Sequence, residues 1–358
     1  MACLNLGVKA QLTSIAEGGN KVAMVGERIG LTEVTIHYNR PAVKGREGQV
    51  WGKLVPYGFN DLGFGTSKAA PWRAGANENT TIDFSTNVKI EGKDLPAGKY
   101  GFFIAMDPNE STLIFSKNAT SWGSFYYDEK EDALRVKVKP ATASEKTEWL
   151  KFEFTDQTAN SATVNLLWEN LRIPFKIEAD VNRLQMESFK RELRTDKSFN
   201  WTSWHQAARF SLDNNIDLEQ GMVWAENAIS TPFFGEANFQ TLSTKAEFFY
   251  KRGRQAEADS LMKKALPLGN MNQLHAYARQ LLQQKKFKEA FEIFKLNNDK
   301  NPNVFTTNMG MVRGYSAIGN YKKALEFAQK AMPQAIDPAN KANLERMIKL
   351  LSEGKDVN

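Results

Sequence analysis

Apolar and polar residues alternate along the first half of the chain, from about residue 21 to residue 178. Val34, Ile36 and Tyr38, for example, are separated by polar neighbours. This period of two is typical of strands with one buried and one solvated face, and therefore of antiparallel sheets. No helical period interrupts it, and eight or more short strands separated by turns fit a β-sandwich. The same alternation recurs at 81–84, 134–139, 150–154 and 164–177.

After about residue 178 the apolar period changes to that of a helix. The segments Phe287-Lys288-Glu289-Ala290 and Tyr321-Lys322-Lys323-Ala324 stand 34 residues apart, within the similar stretches 271–302 and 305–338. A helix–turn–helix period of this length is the tetratricopeptide signature. The sequence therefore predicts tetratricopeptide-like helical repeats over residues 201–354. Further members of the array are predicted at 239–268 and, more faintly, at 201–229, after a linker helix at 179–200.

Length, composition and charge agree with two globular domains. The chain has 358 residues, of which 42% are hydrophobic and 25% charged, and each half is long enough to bury a core. The net charge of +6 comes without a long Lys/Arg run, which argues against nucleic acid as a partner. No stretch of about 18 apolar residues occurs, so the sequence predicts no membrane span.

The N-terminal residues have a pattern that is typical of the end of a signal peptide. Small or apolar residues, Val8 and Ala10, occupy the −3 and −1 positions of a signal-peptidase cut before Gln11. We therefore expect residues 1–20 to be the remnant of a signal peptide and an N-terminal lead, and the protein to be periplasmic or secreted in the bacterial envelope. An ordinary N-terminus is the alternative. Cys3 is the only cysteine, which excludes an intramolecular disulfide and leaves lipidation as a further alternative.

Several strings of the β region resemble a known bacterial family, the domain of unknown function 2911. The strongest are HYNRPAVKGR at 37–46 and PWRAGANENTTIDF at 71–84, and the resemblance covers roughly residues 22–178. It implies a sandwich-like domain, export and a tetratricopeptide-like tail, but it supplies no activity. Three further strings, in the same order along the chain, extend the resemblance: 88–103, 122–138 and 173–178.

The densest polar cluster lies at the ends of two predicted strands and in the Gly-rich segment Pro56–Ala76, which we expect to be a long surface loop. Converging cations and an indole would hold a carboxylate, a phosphate or a sugar acid. The competing interpretation is a structural network of ion pairs and caps that fixes the loop, with Glu78 neutralising Arg73. The predicted ligand-binding residues are Arg40, Lys44, Arg46, Trp72, Arg73, Asn77 and Glu78.

No catalytic motif is present in the sequence. The three histidines, His37, His205 and His275, have no His, Cys or carboxylate partner at metal-ligand spacing. A nucleophile elbow, a phosphate-binding loop and a Ser–His–Asp arrangement are also missing. We therefore predict no catalytic residues, no metal and no cofactor.

These observations favour a non-enzymatic protein-interaction or ligand-binding module. The helical repeats would present a surface to a protein or peptide, and the β-domain would take an anionic small ligand. The alternative is an envelope hydrolase that acts on a carbohydrate or an acidic metabolite through the same Arg/Trp/Glu cluster, with Glu78 as acid or base. A purely structural module without a small ligand is the third interpretation.

Overall fold

A computed structural model of the chain describes residues 19–358. The predicted lead lies outside the described residues except for Gly19 and Asn20, and so does Cys3. The chain divides into two compact units after Gln185, inside the segment predicted as a linker. Each unit is described by itself below.

The N-terminal unit consists of antiparallel strands in two sheets. One sheet has the strand order β1-β2-β3-β6-β7-β8 and the other β5-β4-β10-β9. The predicted antiparallel sandwich is confirmed. The strands of the described residues are β1 (Lys21–Ile29), β2 (Thr32–Arg40), β3 (Thr80–Phe84), β4 (Val88–Ile90), β5 (Lys93–Leu95), β6 (Gly98–Ala105), β7 (Ser111–Ser116), β8 (Asp132–Val138), β9 (Ala141–Thr155) and β10 (Ser161–Glu178).

The inward side chains of both sheets form one apolar core. Ile36 of β2 lies opposite Ile82 of β3, which in turn lies opposite Tyr100 of β6. Ile36 and Ile82 are fully buried, and so is Val164 of the other sheet. The period-two residues of the sequence therefore became the inner faces, because a strand turns every second side chain to the same side.

The connection between β4 and β5 is tighter than the polar, Gly-containing run Glu91-Gly92-Lys93-Asp94 indicates. Glu91 and Gly92 form the two-residue connection, with φ of 48° and 76°, and Lys93 already pairs with Ile90 in a hairpin. Two left-handed residues in succession match the twist of paired strands, which allows so short a turn. The short strand β5 therefore begins two residues earlier than the turn chemistry indicated.

The C-terminal unit is a helical array. Its helices follow one another in pairs joined by turns of three or four residues, as the 34-residue period predicts. None of the helices among the described residues is long and apolar enough to cross a membrane. The helices are α1 (Val181–Glu192), which contains the boundary between the units, α2 (Trp201–Asp213), α3 (Leu218–Ser230), α4 (Phe239–Lys251), α5 (Gln255–Ala265), α6 (Met271–Gln283), α7 (Phe287–Lys300), α8 (Phe305–Ala317), α9 (Tyr321–Ala331) and α10 (Pro338–Ser352).

Helix starts and helix contacts follow local chemistry. Asn238 and Asn270 cap α4 and α6 through reciprocal hydrogen bonds with the third helical residue. Ala290 and Ala324, the small residues 34 positions apart, are completely buried. Phe294 lies beside two further small residues, Gly310 and Gly314 of α8, and it too is buried. Small and large side chains therefore alternate at the contacts, as the sequence predicts for stacked repeats.

Candidate functional site

Two of the predicted cationic residues make their hydrogen bonds to the protein backbone. Arg40 Nε donates to the carbonyl oxygen of Leu150 at 2.7 Å. Arg46 donates to the carbonyl oxygens of Val43 (2.9 Å) and Ala42 (2.7 Å). Both guanidinium groups thus join strand ends and a turn, which is the arrangement expected of a structural network. Their role in ligand binding stays a prediction.

Lys44 and Trp72 are also held by contacts of the fold. Lys44 has a left-handed backbone, with φ of 51°, and its N–H donates to the side chain of Glu148 at 2.9 Å. Trp72 donates from Nε1 to the carbonyl oxygen of Gly75 at 3.1 Å. Its ring stacks on buried Trp168, with centroids 6.1 Å apart. The side chain of Lys44 is exposed to solvent, whereas the indole of Trp72 packs against Trp168.

Arg73 has different surroundings. Its Nη1 donates to the carbonyl oxygen of Asn77 at 2.9 Å, and its guanidinium carbon lies 5.7 Å from the ring centroids of both Trp122 and Phe125. Burial lowers the pKa of Arg73 from its usual value. Within residues 19–358, Arg73 forms no ion pair at 4 Å or less. The side chain is therefore a half-buried cation whose remaining donors have no carboxylate.

Asn77 and Glu78 belong to one polar network beside Arg73. Asn39 donates from Nδ2 to Glu78 Oε2 at 2.9 Å and accepts from Asn77 Nδ2 at 3.2 Å. Asn20 donates to Asn77 Oδ1 at 3.3 Å. Glu78 is exposed and is not within ion-pair distance of Arg73, so it does not neutralise this cation. Of the seven predicted residues, the structure thus brings Arg73, Asn77 and Glu78 together in one place. The other four, Arg40, Lys44, Arg46 and Trp72, contact other parts of the fold.

The aromatic residues that complete this trio were not predicted from the sequence. Trp122 is 60% exposed and stacks on Phe125, with centroids 6.1 Å apart and planes 12° apart. An antiparallel bridge pairs Trp122 with Glu78. The available signal was the run Trp-Gly-Ser-Phe-Tyr-Tyr at 122–127, which is dense in aromatic residues but lacks the period of two.

A second polar group of the N-terminal unit lies beside a cavity of about 520 Å³, which Tyr127 and Arg135 line. Asp132 accepts from Tyr127 Oη at 2.7 Å and from Arg135 Nε at 2.6 Å. Burial raises the pKa of Asp132, although both hydrogen bonds and the charge of Arg135 oppose this shift. Burial raises the pKa of Tyr127 as well, with Asp132 adding to the effect. Asp132 Oδ1 is buried and has no hydrogen-bond partner in the described part of the chain, so the group is a network of the fold with one unsatisfied acceptor.

In the helical unit, charged residues occupy the same place on successive repeats. The ninth residues of α2, α4, α6 and α8 are Arg209, Glu247, Arg279 and Arg313. Arg209 Nη1 donates to Glu247 Oε2 at 2.8 Å, and Arg209 also pairs with Asp213 one turn further along α2. We call these four residues the ninth-residue row. At the α2–α4 end of this row, Glu247 and Asp213 neutralise the charge of Arg209.

At the other end of the ninth-residue row the positive charge is not compensated. Arg279 is exposed and Arg313 half-buried, and neither forms an ion pair or a side-chain hydrogen bond with any residue of the described chain. Burial lowers the pKa of Arg313, and the nearby charges of Arg279 and Arg346 lower it further, while Asp356 raises it. Arg279 and Arg346 therefore lie close enough to Arg313 to repel its charge.

His275 lies one helical turn before Arg279 on α6. Burial, followed by the charges of Arg279 and Arg313, lowers the pKa of His275 to about 4. Its Nδ1 is buried and has no hydrogen-bond partner in the described part of the chain. The histidine therefore stays neutral at physiological pH, and the local field is positive.

Two overlapping cavities of about 350 and 500 Å³ open between the helix pairs α4–α5 and α6–α7. Tyr250 and Tyr277 line both, together with Lys286, whose ammonium lies 5.5 Å from the ring centroid of Tyr250. Tyr250 Oη donates to Asp259 at 2.7 Å. Burial raises the pKa of both tyrosines, so their hydroxyl groups remain protonated hydrogen-bond donors.

Among residues 19–358, no group of three or more His, Cys, Asp or Glu side chains is placed to hold a metal ion.

The model of a protein family matches residues 20–177 and is described as "Protein of unknown function (DUF2911)". The N-terminal domain belongs to the DUF2911 family. The match covers the β-sandwich from just before β1 almost to the end of β10. No curated protein matches the chain in a sequence comparison.

Solved structures of repeat proteins are similar to part of the chain. YrrB, a "TPR protein with an unusual peptide-binding site", is 15% identical, with a TM-score of 0.31, over 48% of this chain and 87% of its own. A tetratricopeptide repeat protein from Parabacteroides merdae is 14% identical, with a TM-score of 0.33, over 49% and 70%. A crystal structure of MamA is 11% identical, with a TM-score of 0.31, over 43% and 88%.

Proposed function

We propose that the helical unit binds an acidic segment of another protein at the α6–α8 end of the ninth-residue row. One observation carries this proposal. Arg279 and Arg313 occupy the position at which Arg209 is neutralised by Glu247, yet they have no carboxylate partner among the described residues. The chain compensates the charge at one end and leaves it available at the other.

The unpaired arginines suit carboxylate side chains. A guanidinium presents its donors in a planar fork that matches a carboxylate, and such bonds are strongest where water is partly excluded. Arg313 is half-buried, and a bound carboxylate would relieve its repulsion by Arg279 and Arg346. The neighbouring cavities lined by Tyr250 and Tyr277 would accept an apolar side chain of the same segment.

The test measures peptide binding to the whole chain. The probes are 12-residue peptides rich in Glu with one aromatic residue, and the same peptides with each Glu replaced by Gln. We expect only the acidic peptides to bind, with an affinity that falls as salt rises. Arg279→Gln and Arg313→Gln should each weaken binding about tenfold, which corresponds to roughly 1.4 kcal/mol.

Lys288→Gln is the matched control, because Lys288 is exposed on α7, a second helix of a repeat, and the change removes the same charge. Its affinity should stay within about twofold of the unchanged protein. Equal binding of the acidic and the neutral peptides would contradict the proposal. An equal loss of affinity in Lys288→Gln would mean that binding depends only on the net charge of the protein.

We also propose that the protein is exported to the bacterial envelope. The support is the small-residue pattern Val8 and Ala10 before Gln11. The measurement is N-terminal sequencing of the protein from a periplasmic fraction of cells that carry the full gene. A mature chain that begins at Gln11 is expected, and a cytosolic protein that begins at Met1 would refute the proposal.

A further inference from the structure

The indole of Trp122 is an exposed ring on a fixed support. It is 60% exposed, and it lies parallel to Phe125. The backbone beneath it is held from the neighbouring segment, since the N–H of Asn79 donates to the carbonyl oxygen of Ser121 at 3.1 Å. Phe125 also contacts Phe64, which is 62% exposed, with ring centroids 5.5 Å apart, and contiguous exposed apolar side chains mark sites of interaction. Trp122 thus offers a flat surface of about one ring.

An acidic and a basic side chain flank this ring. Glu78 pairs with Trp122 in an antiparallel bridge, and residues paired in this way direct their side chains to the same side. Asn39 occupies Glu78 Oε2 and leaves Oε1 without a partner in the described chain. The guanidinium of Arg73 lies 5.7 Å from the indole centroid.

Gly123, next to Trp122, leaves space for the side chain of Arg73. Gly123 has φ of 73°, and a Cβ atom there would lie 2.7 Å from Arg73 Nη1. A larger residue would therefore be strained and would displace the guanidinium. Nη1 donates to Asn77, while the other donors of Arg73 have no partner among residues 19–358. A half-buried guanidinium with spare donors is suited to a carboxylate.

We propose that Trp122, Arg73 and Glu78 bind a sugar acid, that is, a pyranose ring that carries one carboxylate. The C–H face of the ring would pack on the indole. The carboxylate would accept hydrogen bonds from Arg73, and a ring hydroxyl would donate to Glu78. This site lies in the DUF2911 domain and does not depend on the function proposed for the helical unit.

The charges around the ring favour a sugar acid over an acidic protein segment. Glu78 is exposed beside the indole and would repel a run of carboxylates. A neutral sugar offers Arg73 only hydroxyl acceptors, which bind a guanidinium more weakly than a carboxylate does. A single carboxylate on a ring with several hydroxyl groups satisfies both side chains.

The test uses trigalacturonate, galactotriose as the neutral counterpart and hexaglutamate as the acidic peptide, each added to the whole chain at about 0.15 M salt. The readouts are calorimetry and the indole N–H resonance of Trp122. We expect trigalacturonate to bind and to shift that resonance. Trp122→Ala and Arg73→Gln should each weaken binding about tenfold or more, and Glu78→Gln less.

Two variants that remove the same kinds of side chain elsewhere on the surface serve as controls. Arg28→Gln removes a surface guanidinium of β1, and Phe233→Ala removes an aromatic side chain that is 99% exposed. Both should bind trigalacturonate as the unchanged protein does. Thermal unfolding checks that each variant folds. If Arg73→Gln is unstable, Trp122→Ala and the direct resonance shift decide.

Three outcomes would overturn the proposal. Galactotriose could bind as tightly as trigalacturonate, which would remove the role of Arg73. Hexaglutamate could bind more tightly than trigalacturonate, which would assign the surface to a protein partner. Finally, trigalacturonate at about 10 mM could leave the Trp122 resonance unmoved, which would leave the surface without a sugar ligand.

Discussion

The lowered pKa of His275 makes the stability of the helical unit depend on pH. Its folded pKa of about 4 lies below the ordinary value of 6.5, because burial and then Arg279 and Arg313 disfavour the charged ring. Between these two pH values the unfolded chain holds more protons than the folded chain, so stability rises with pH. The contribution is complete above about pH 6.5 and is lost as the pH falls toward 4.

The measurement is urea unfolding of the whole chain between pH 4 and pH 7, followed by helical circular dichroism. His205 adds a slope of the same sign, since burial lowers its pKa too. We therefore expect His275→Gln to reduce the pH dependence and not to abolish it. Arg279→Gln should raise the pKa of His275 in a titration by nuclear magnetic resonance. An unchanged pH slope in His275→Gln would show that its ring is not the titrating group.

At the scale of the helix pair, stability depends on the small residues at the contact. Ala290 of α7 is completely buried beside the large side chains of the array. Ala290→Leu inserts three carbon atoms where there is no space, and we expect a loss of about 1–3 kcal/mol in the free energy of unfolding. Urea unfolding measures this change.

Ala276→Leu is the control, because Ala276 lies on the exposed side of α6 and both residues are helical alanines. This variant should stay within about 0.5 kcal/mol of the unchanged protein. Similar losses in the two variants would mean that the contact at Ala290 is not close-packed.

The elements were predictable from the sequence because their signals are local and periodic. Alternation around Ile36 indicated β2, and the 34-residue spacing between Ala290 and Ala324 indicated the helix pairs. The two-residue turn at Glu91 and Gly92 escaped because it depends on backbone angles. Polar pattern alone does not report those angles.

The candidate sites were less accessible, because they depend on which loops meet. Arg73 and Trp122 are 49 residues apart and lie in segments without a period, so nothing local connects them. Arg40, Arg46 and Arg73 look equivalent in the sequence as cations at strand ends. Of the three, Arg73 lies against the rings of Trp122 and Phe125, which no local pattern indicates. Arg279 and Arg313 were visible as a 34-residue repeat of charge. Recognising them requires comparing the same helical position across repeats.

At the scale of the whole molecule, each unit has its own apolar core. The sandwich core is built around residues such as Ile82, and the core of the helical array around residues such as Ala290. The boundary after Gln185 falls within α1. Fragments that each retain this helix, residues 19–192 and 181–358, should therefore fold separately, because neither loses the interior of its core.

Circular dichroism and chemical unfolding of the two fragments measure this. We expect a β spectrum and a cooperative transition from 19–192, and a helical spectrum and a cooperative transition from 181–358. The sugar-acid site should remain with the first fragment and the acidic-peptide site with the second, because each set of side chains lies within one unit. A fragment that folds but loses its ligand would show that the site needs the rest of the chain. A fragment that does not fold would refute the independence of its core.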